Sequence, residues 1–347
     1  MRKRPCDSVC TGTYRQAEFT GTGGYVWGKS FGTPGQSNGP NAVLADPSGD
    51  VVVGGMAYAD LNLGGGPITG YYIAKFGPSG AYSWSNGFDI TCDEAIPTIA
   101  ADSDGNVLLV GCFVGSADFG GGTMSTDHYS AFVAKFDSSG EYEWAKQYGN
   151  GATVSGVAVD ACDDILVTGN FGGLAMDQTT IDFGTGTLTA SNPNDVYSFL
   201  AKLGASGASL WAQEFSASGT NVALMAGGIV VDGAGQPATT YGLTGRADFG
   251  GDVLTSMSST TPTMAVASFG STGSYRWDYS ETASSTSVAT TAAVAAHGAS
   301  LVIVGAFGTC TSNCTDGTSE AGATLVLPGQ TLTAASARDL FVATFAQ

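Results

Sequence analysis

Apolar and polar positions alternate along most of this chain with a period of two, in short runs broken by glycine-rich turns. Residues 132–144, FVAKFDSSGEYEW, give the clearest example. An apolar run leads into Asp-Ser-Ser-Gly, after which Tyr142 and Trp144 alternate with acidic residues. This pattern predicts a β-hairpin whose turn is type I closed by a glycine bulge, with Gly140 taking the positive φ that side chains resist. The hairpin recurs as YIAKFGPSGAYSW (72–84), FLAKLGASGASLW (199–211) and AVASFGSTGSYRW (265–277). GGYVW (23–27) repeats its second half near the start of the chain, and LFVATFAQ (340–347) repeats its first half at the end. The five tryptophans, Trp27, Trp84, Trp144, Trp211 and Trp277, all occupy one repeat position.

A second pattern separates these hairpins. A strand of small residues, a tight turn and a β-branched strand run through NAVLADPSGDVVVGG (41–55), PTIAADSDGNVLLVG (97–111), SGVAVDACDDILVTG (155–169), GGIVVDGAGQPATTYG (227–242) and AAVAAHGASLVIVG (292–305). Asp46, Asp102, Asp160 and Asp232 open four of these turns, where a carboxylate can accept from the backbone two residues on. A longer loop follows each, with a weaker motif: LNLGGGPIT (61–69), ADFGGGTMS (117–125), IDFGTGTLT (181–189), ADFGGDVLT (247–255) and LVLPGQTLT (325–333). Its Phe or Leu is expected to pin the loop to the core.

Four strands per unit, repeated five times, predict an all-β, five-bladed β-propeller. Residues 1–22 read as an N-terminal arm. The blades follow in 23–347, as units of about 23–80, 81–140, 141–207, 208–273 and 274–347. The split repeat predicts a ring closed by pairing of 340–346 with 24–30. Strand direction puts the tight turns at one end of each blade. The other end carries the long, unequal loops 56–70, 113–130, 171–197, 243–263 and 306–338, together with connections such as 215–226. That end is the expected binding end, since variable loops on a rigid scaffold carry function.

Composition narrows the classes. The 52 glycines and only 12% charged residues fit a turn-rich β protein rather than a helical one. A net charge of −18 argues against nucleic acid, which requires a basic patch. No run of 18 apolar residues predicts a membrane span. The basic start, MRKRPC, lacks the apolar stretch of a recognisable signal peptide. Seven cysteines predict an oxidising, extracellular or cell-surface location.

The motifs DFGGG, FVAKFDSSG, EYEWAKQYG, VAVD and VLLVGCF together resemble the bacterial SBBP β-propeller repeat over about residues 23–347. That family occurs in large secreted and surface proteins, notably of myxobacteria. The resemblance implies an extracellular propeller and implies no particular ligand or reaction. The fifth unit departs most, with Ala296 for the aspartate and Thr344 for the lysine.

Lys75, Lys135 and Lys202 recur in the units that also hold Asp46, Asp102 and Asp160. Because buried charges must be paired, these predict structural ion pairs rather than catalytic lysines. Asp102-Ser-Asp-Gly-Asn106 begins like a calcium loop but lacks its closing glutamate, so it reads as a turn. Asp118, Asp182 and Asp248 in the DFG loops are weak candidates for binding Ca²⁺, and their plainer reading is as Asx turns; no other cofactor is expected. Tyr58 and Tyr129 are candidates for stacking on a sugar. Glycosidase chemistry needs a convergent acid pair, and nothing in the sequence selects one among Asp89, Asp93, Glu94, Asp127, Asp177, Asp195 and Glu281.

The expected function is therefore a non-catalytic, secreted or surface-displayed binding or structural module. Its partner at the long-loop end is a protein or a carbohydrate, or a second copy of the chain. The alternatives are a lectin or glycoside-active enzyme using a central pocket, and a subunit of an extracellular fibre. The turn at 103–106 places Cys112 opposite Pro97 and brings it near Cys92, which predicts a bridge between the two. Cys310 with Cys314, and Cys6 with Cys10, are expected in bridges of open pairing, which leaves Cys162 free.

Overall fold

A computed structural model describes residues 14–19, 24–32, 38–90, 92, 97–173, 180–192, 194–256, 262–281, 287–297, 300–309, 324–327, 330–333 and 339–346. Its strands are β1 (Tyr14–Phe19), β2 (Tyr25–Phe31), β3 (Asn38–Ala45), β4 (Val51–Asn62), β5 (Pro67–Phe76), β6 (Tyr82–Phe88), β7 (Thr98–Ala101), β8 (Val107–Asp118), β9 (Thr123–Phe136) and β10 (Tyr142–Tyr148). Then come β11 (Ala152–Val159), β12 (Ile165–Phe171), β13 (Thr180–Asp182), β14 (Thr187–Thr189), β15 (Tyr197–Leu203), β16 (Ser209–Phe215), β17 (Ala217–Val231) and β18 (Pro237–Ala247). The last are β19 (Leu254–Thr255), β20 (Thr263–Phe269), β21 (Tyr275–Ser280), β22 (Ser287–His297), β23 (Ser300–Thr309), β24 (Thr324–Leu327), β25 (Gln330–Thr333) and β26 (Asp339–Ala346).

The fold class is an all-β, five-bladed β-propeller. Blade one is β3–β4–β5–β6 and blade two is β7–β8–β9–β10. Blade three is β11–β12–β15–β16, blade four is β17–β18–β20–β21, and blade five is β22–β23–β26. The chain divides into two compact units, Met1–Asp127 with Val133–Ala145, and His128–Phe132 with Lys146–Gln347.

Each blade builds as its sequence dictates. Branched aliphatic residues fill the second strand, so that Val52, Val53, Val107, Leu108, Ile165 and Val167 are buried on both faces of their sheets. The third strand is equally buried, and the fourth alternates. In the organising hairpin Gly140 has φ 88° and donates to the Asp137 carbonyl, as the glycine-bulge turn requires. The DFG-type loops are pinned by Leu63, Phe119, Phe183 and Phe249, each at most 5% exposed. Phe119 packs on Phe88, Phe183 on Tyr148 and Phe249 on Phe215, with ring centroids 4.7–5.4 Å apart.

The start of the chain differs from expectation. Tyr25–Phe31 pairs with Tyr14–Phe19, with Glu18 opposite Trp27. In blade five β26 pairs with β23. The stretch read as an arm thus contains a strand. Its hairpin closes over very few residues, so its loop-closure cost is small. Trp27 nevertheless keeps its repeat role. It is 8% exposed, it donates through Nε1 to the Pro78 carbonyl at 3.1 Å, and it lies over Gly80. The connection read at 215–226 is also largely strand, because β17 begins at Ala217.

Candidate functional site

The tight-turn end of the blades is built from charge. In blade one the Asp46 Oδ1 accepts the amides of Ser48 and Asp50 at 2.8 and 2.9 Å, and its Oδ2 lies 2.6 Å from Lys75 Nζ. Blade two repeats this with Asp102 and Lys135 at 2.8 Å, and blade three with Asp160 and Lys202 at 2.7 Å. All six side chains are buried. Burial alone would raise these carboxyls. The bonds from lysine and from backbone amides outweigh it and hold Asp46, Asp102 and Asp160 below the ordinary aspartate value. Likewise burial would lower Lys135 and Lys202, but their aspartates hold them above the usual lysine range. With both oxygens of each aspartate committed, the turn 102–106 closes on itself and on Lys135.

In blade one the pair and its neighbours also reach the next blade. Lys75 Nζ reaches the Ser138 carbonyl at 3.3 Å, and Trp84 Nε1 donates to the same oxygen at 3.1 Å. Asn86 Nδ2 bonds the Gly140 carbonyl. Gly140 admits the Trp84 indole at a distance no Cβ would tolerate. Within the second unit, Trp211 reaches Ser271, Gln213 reaches Gly273 and Lys146 reaches Gly207 in the same manner. The polar residue two places after three of the tryptophans was visible in the sequence as Asn86, Lys146 and Gln213, and its repetition was the available signal. A cleft of about 450 Å³ lies between the inner strands of blades one and two, lined by Leu44, Asp46, Pro47, Ile99, Ala101 and Asp102.

At the long-loop end, Asp118 Oδ1 accepts the amides of Gly120 and Gly122 at 2.8 and 3.2 Å. Asn62 makes the same two bonds in blade one. Asp182 and Asp248 accept from Gly184 and Gly250. Each is an Asx turn, and the neutral Asn62 shows that the turn needs an oxygen but no charge. Among the described residues no three His, Cys, Asp or Glu side chains are grouped as metal ligands. Tyr58 is 67% exposed at this end of blade one. Tyr129 is half-buried, and its carbonyl accepts the Gly151 amide. Of the acids considered for glycoside chemistry, Asp93, Glu94 and Asp177 lie outside the described residues. Glu281 is buried and accepts the Met264 amide, and Asp195 accepts from Asn192 Nδ2.

One acidic grouping was not anticipated. Asp278 in blade four stands where blades one to three have Ser85, Ala145 and Ala212, and Asp252 stands where they have Gly66, Gly122 and Gly186. Burial, then the charges of Asp252 and Asp248, push the Asp278 carboxyl up to about 6, against a hydrogen bond with Tyr275. A carboxyl raised in the folded state adds stability below its ordinary value of 3.8, and that stability is lost as pH rises through about 6. Asp278→Ser is therefore expected to raise the urea midpoint at pH 7 and to flatten its change between pH 7 and 4.5. Superimposable pH profiles for the two proteins would refute this.

Cys92 and Cys112 are bridged, with Cα atoms 5.7 Å apart. The register, Thr98 opposite Val110, runs one residue off the expected Cys112–Pro97 alignment. Cys162 is free and exposed. Cys6, Cys10, Cys310 and Cys314 lie outside the described residues. The bridge spans 20 residues, so replacing both partners by alanine should cost about 3 kcal/mol in urea unfolding, and reduction of the wild type should match it.

Comparison with known proteins by sequence finds a relative built of repeats. A WD-repeat-containing protein of Acanthamoeba polyphaga mimivirus, itself uncharacterized, is 33% identical over 150 residues, which is 39% of this chain and 10% of the relative. The repeats are of the β-propeller class. The chain spans only that 10% of the relative's length. No protein-family model matches the chain. A polysaccharide lyase of family PL25, an ulvan lyase, aligns over 88% of this chain and 68% of its own at 10% identity and a TM-score of 0.42. A Bacteroides caccae protein of unknown function aligns over 75% of this chain and 86% of its own, at 9% identity and a TM-score of 0.27. Among the described residues no helix is long and apolar enough to cross a membrane.

Proposed function

We propose that this chain is a non-catalytic binding module of the SBBP-repeat type, secreted or displayed on a cell surface, which engages its ligand through the long-loop ends of its blades. The observation that carries this reading is the contrast between the two ends. At the tight-turn end the recurring charges are spent on Asp–Lys pairs and on bonds to the next blade. At the other end the loops differ in length and sequence from blade to blade, and large side chains such as Tyr58 stand in solvent. The Cys92–Cys112 bridge supports an oxidising location. The non-catalytic reading is supported by carboxylates that are neutralised by lysine or hold their own loop amides.

A carbohydrate is the ligand class that Tyr58 favours, since an exposed aromatic face is the usual platform for a sugar ring. Glycan-array binding by the wild type, Tyr58→Ser and Lys146→Met tests the reading. Binding should fall at least tenfold in Tyr58→Ser and persist in Lys146→Met, with no new reducing ends released from any bound glycan. Glycan cleavage would replace the module by an enzyme, and binding sensitive only to the turn-end variant would place the ligand at the wrong end.

A further inference from the structure

Tyr58 does not stand alone at the long-loop end of its unit. Val114 occupies the equivalent place in blade two, and the two side chains are 67% and 44% exposed. The surface around them is acidic. Asp60 follows Tyr58 by two residues and Asp118 follows Val114 by four. Asp89 comes just after β6, and Asp127 lies on β9. All four acids are exposed.

The segments that build this end, 56–70, 88–97 and 113–127, contain no lysine and no arginine. Between residues 14 and 145 the cations lie elsewhere. Arg15 and Lys29 belong to the β1–β2 hairpin, and Lys75 and Lys135 to the buried pairs of the tight-turn end. The fold does not require the charge on Asp118 either. Asn62 holds in blade one the same two amides that Asp118 holds in blade two, so a neutral oxygen suffices for the turn.

Such charges discriminate among sugars. The screening length at physiological ionic strength is about 8 Å, and carboxylates within that distance of a bound ring act on it together. A uronate or sulfate group is repelled, and a neutral sugar gains only its stacking. An ammonium group gains charge-assisted hydrogen bonds to carboxylate oxygens and attraction to the face of the tyrosine ring. Resting on the carbohydrate reading of Tyr58, we infer that the ligand of the long-loop end is a glycan with free amino groups, of the glucosamine type.

Calorimetric titration of the full chain with hexamers of β-1,4-glucosamine, of its N-acetylated form and of α-1,4-galacturonate tests this. At low salt the glucosamine hexamer should bind at least tenfold tighter than the N-acetylated one, and the galacturonate hexamer should not bind. The preference should shrink as salt rises. Asp60→Asn/Asp118→Asn, whose second change copies Asn62, should lose most of the preference and keep the affinity for the N-acetylated hexamer. The matched turn-end variant Asp104→Asn/Glu141→Gln should keep both. Tyr58→Ser should weaken both hexamers at least tenfold. Equal affinity for the two hexamers, or a preference that both acid variants reduce alike, would overturn the choice of sugar and leave the carbohydrate reading standing. Galacturonate bound only with calcium and released by EDTA would do the same, since the acids would then serve a metal. Affinities unchanged in Tyr58→Ser, or no binding of any hexamer, would overturn both.

Discussion

Lys135→Met should destabilise the protein by roughly 3–5 kcal/mol in urea unfolding, because it removes the cation and leaves the Asp102 carboxylate buried. The lysine side chain is 7% exposed and the aspartate 4%, at an Nζ–Oδ2 distance of 2.8 Å. After the substitution Asp102 keeps its turn amides and Asn106 Nδ2, which are neutral donors. Asp102→Asn should cost a comparable amount through the stranded lysine. The double variant Asp102→Asn/Lys135→Met should recover a large part of the loss, because a buried pair repays little more than its own desolvation. The pH dependence has a definite sign. Asp102 lies below its ordinary 3.8 in the folded protein, so the pair stabilises above that value and its contribution fades as pH falls through the lower folded value. Lys135 lies above its ordinary 10.5, so its contribution is present below 10.5 and fades as pH climbs past the raised value. The difference between wild type and Lys135→Met should therefore be flat across neutral pH and shrink in strong acid. A difference below about 1 kcal/mol at pH 7 would make the pair a solvated surface bridge.

That pair was legible in the sequence because its two members are lost together from unit five and split in unit four. The hairpin turns and the pinned loops were legible for a related reason: positive φ and a Phe before a glycine cluster leave local marks. Register and chain ends were harder to read. Cys92 and Cys112 are bridged although the inferred alignment is off by one, since a disulfide tolerates a range of Cα separations. Residues 14–19 carry no copy of the repeat, so their pairing with 25–31 left no repeated mark in the sequence. The acids at Asp252 and Asp278 were visible as letters. Their proximity was not, because one lies on a loop and the other on a strand, with the chain of a whole hairpin between them.

Tyr241→Gly should cost roughly 3–5 kcal/mol, and a second substitution, Ala265→Phe, should restore most of it. The reason is an exchange of volume between paired strands. In blade three Gly169 is directly opposite Phe199, and a Cβ on that glycine would come within 2.7 Å of the phenyl ring. In blade one Gly55 is opposite Tyr72, and in blade five Gly305 is opposite Phe341. Each second strand thus supplies the floor and each third strand the ring. Blade four reverses the roles, with Tyr241 on the second strand opposite Ala265 on the third. The ring nonetheless meets the same neighbour, since Tyr241 lies 4.8 Å from Phe249 and Phe199 lies 5.0 Å from Phe183. Tyr241 is 1% exposed, so the single variant leaves a cavity lined by Phe215, Phe249 and Leu243. Ala265→Phe alone would force a second ring into filled space and cost 1–3 kcal/mol, by the usual penalty for overpacking. Together the two changes rebuild the arrangement of blades one, three and five. They also remove a buried tyrosine hydroxyl whose neighbour is the Thr239 side chain. The double-mutant cycle measured by urea unfolding should therefore give a favourable coupling of at least about 2 kcal/mol, near the top of the range for residues in contact. Simple additivity of the two losses would mean that blade four packs its core on a plan of its own.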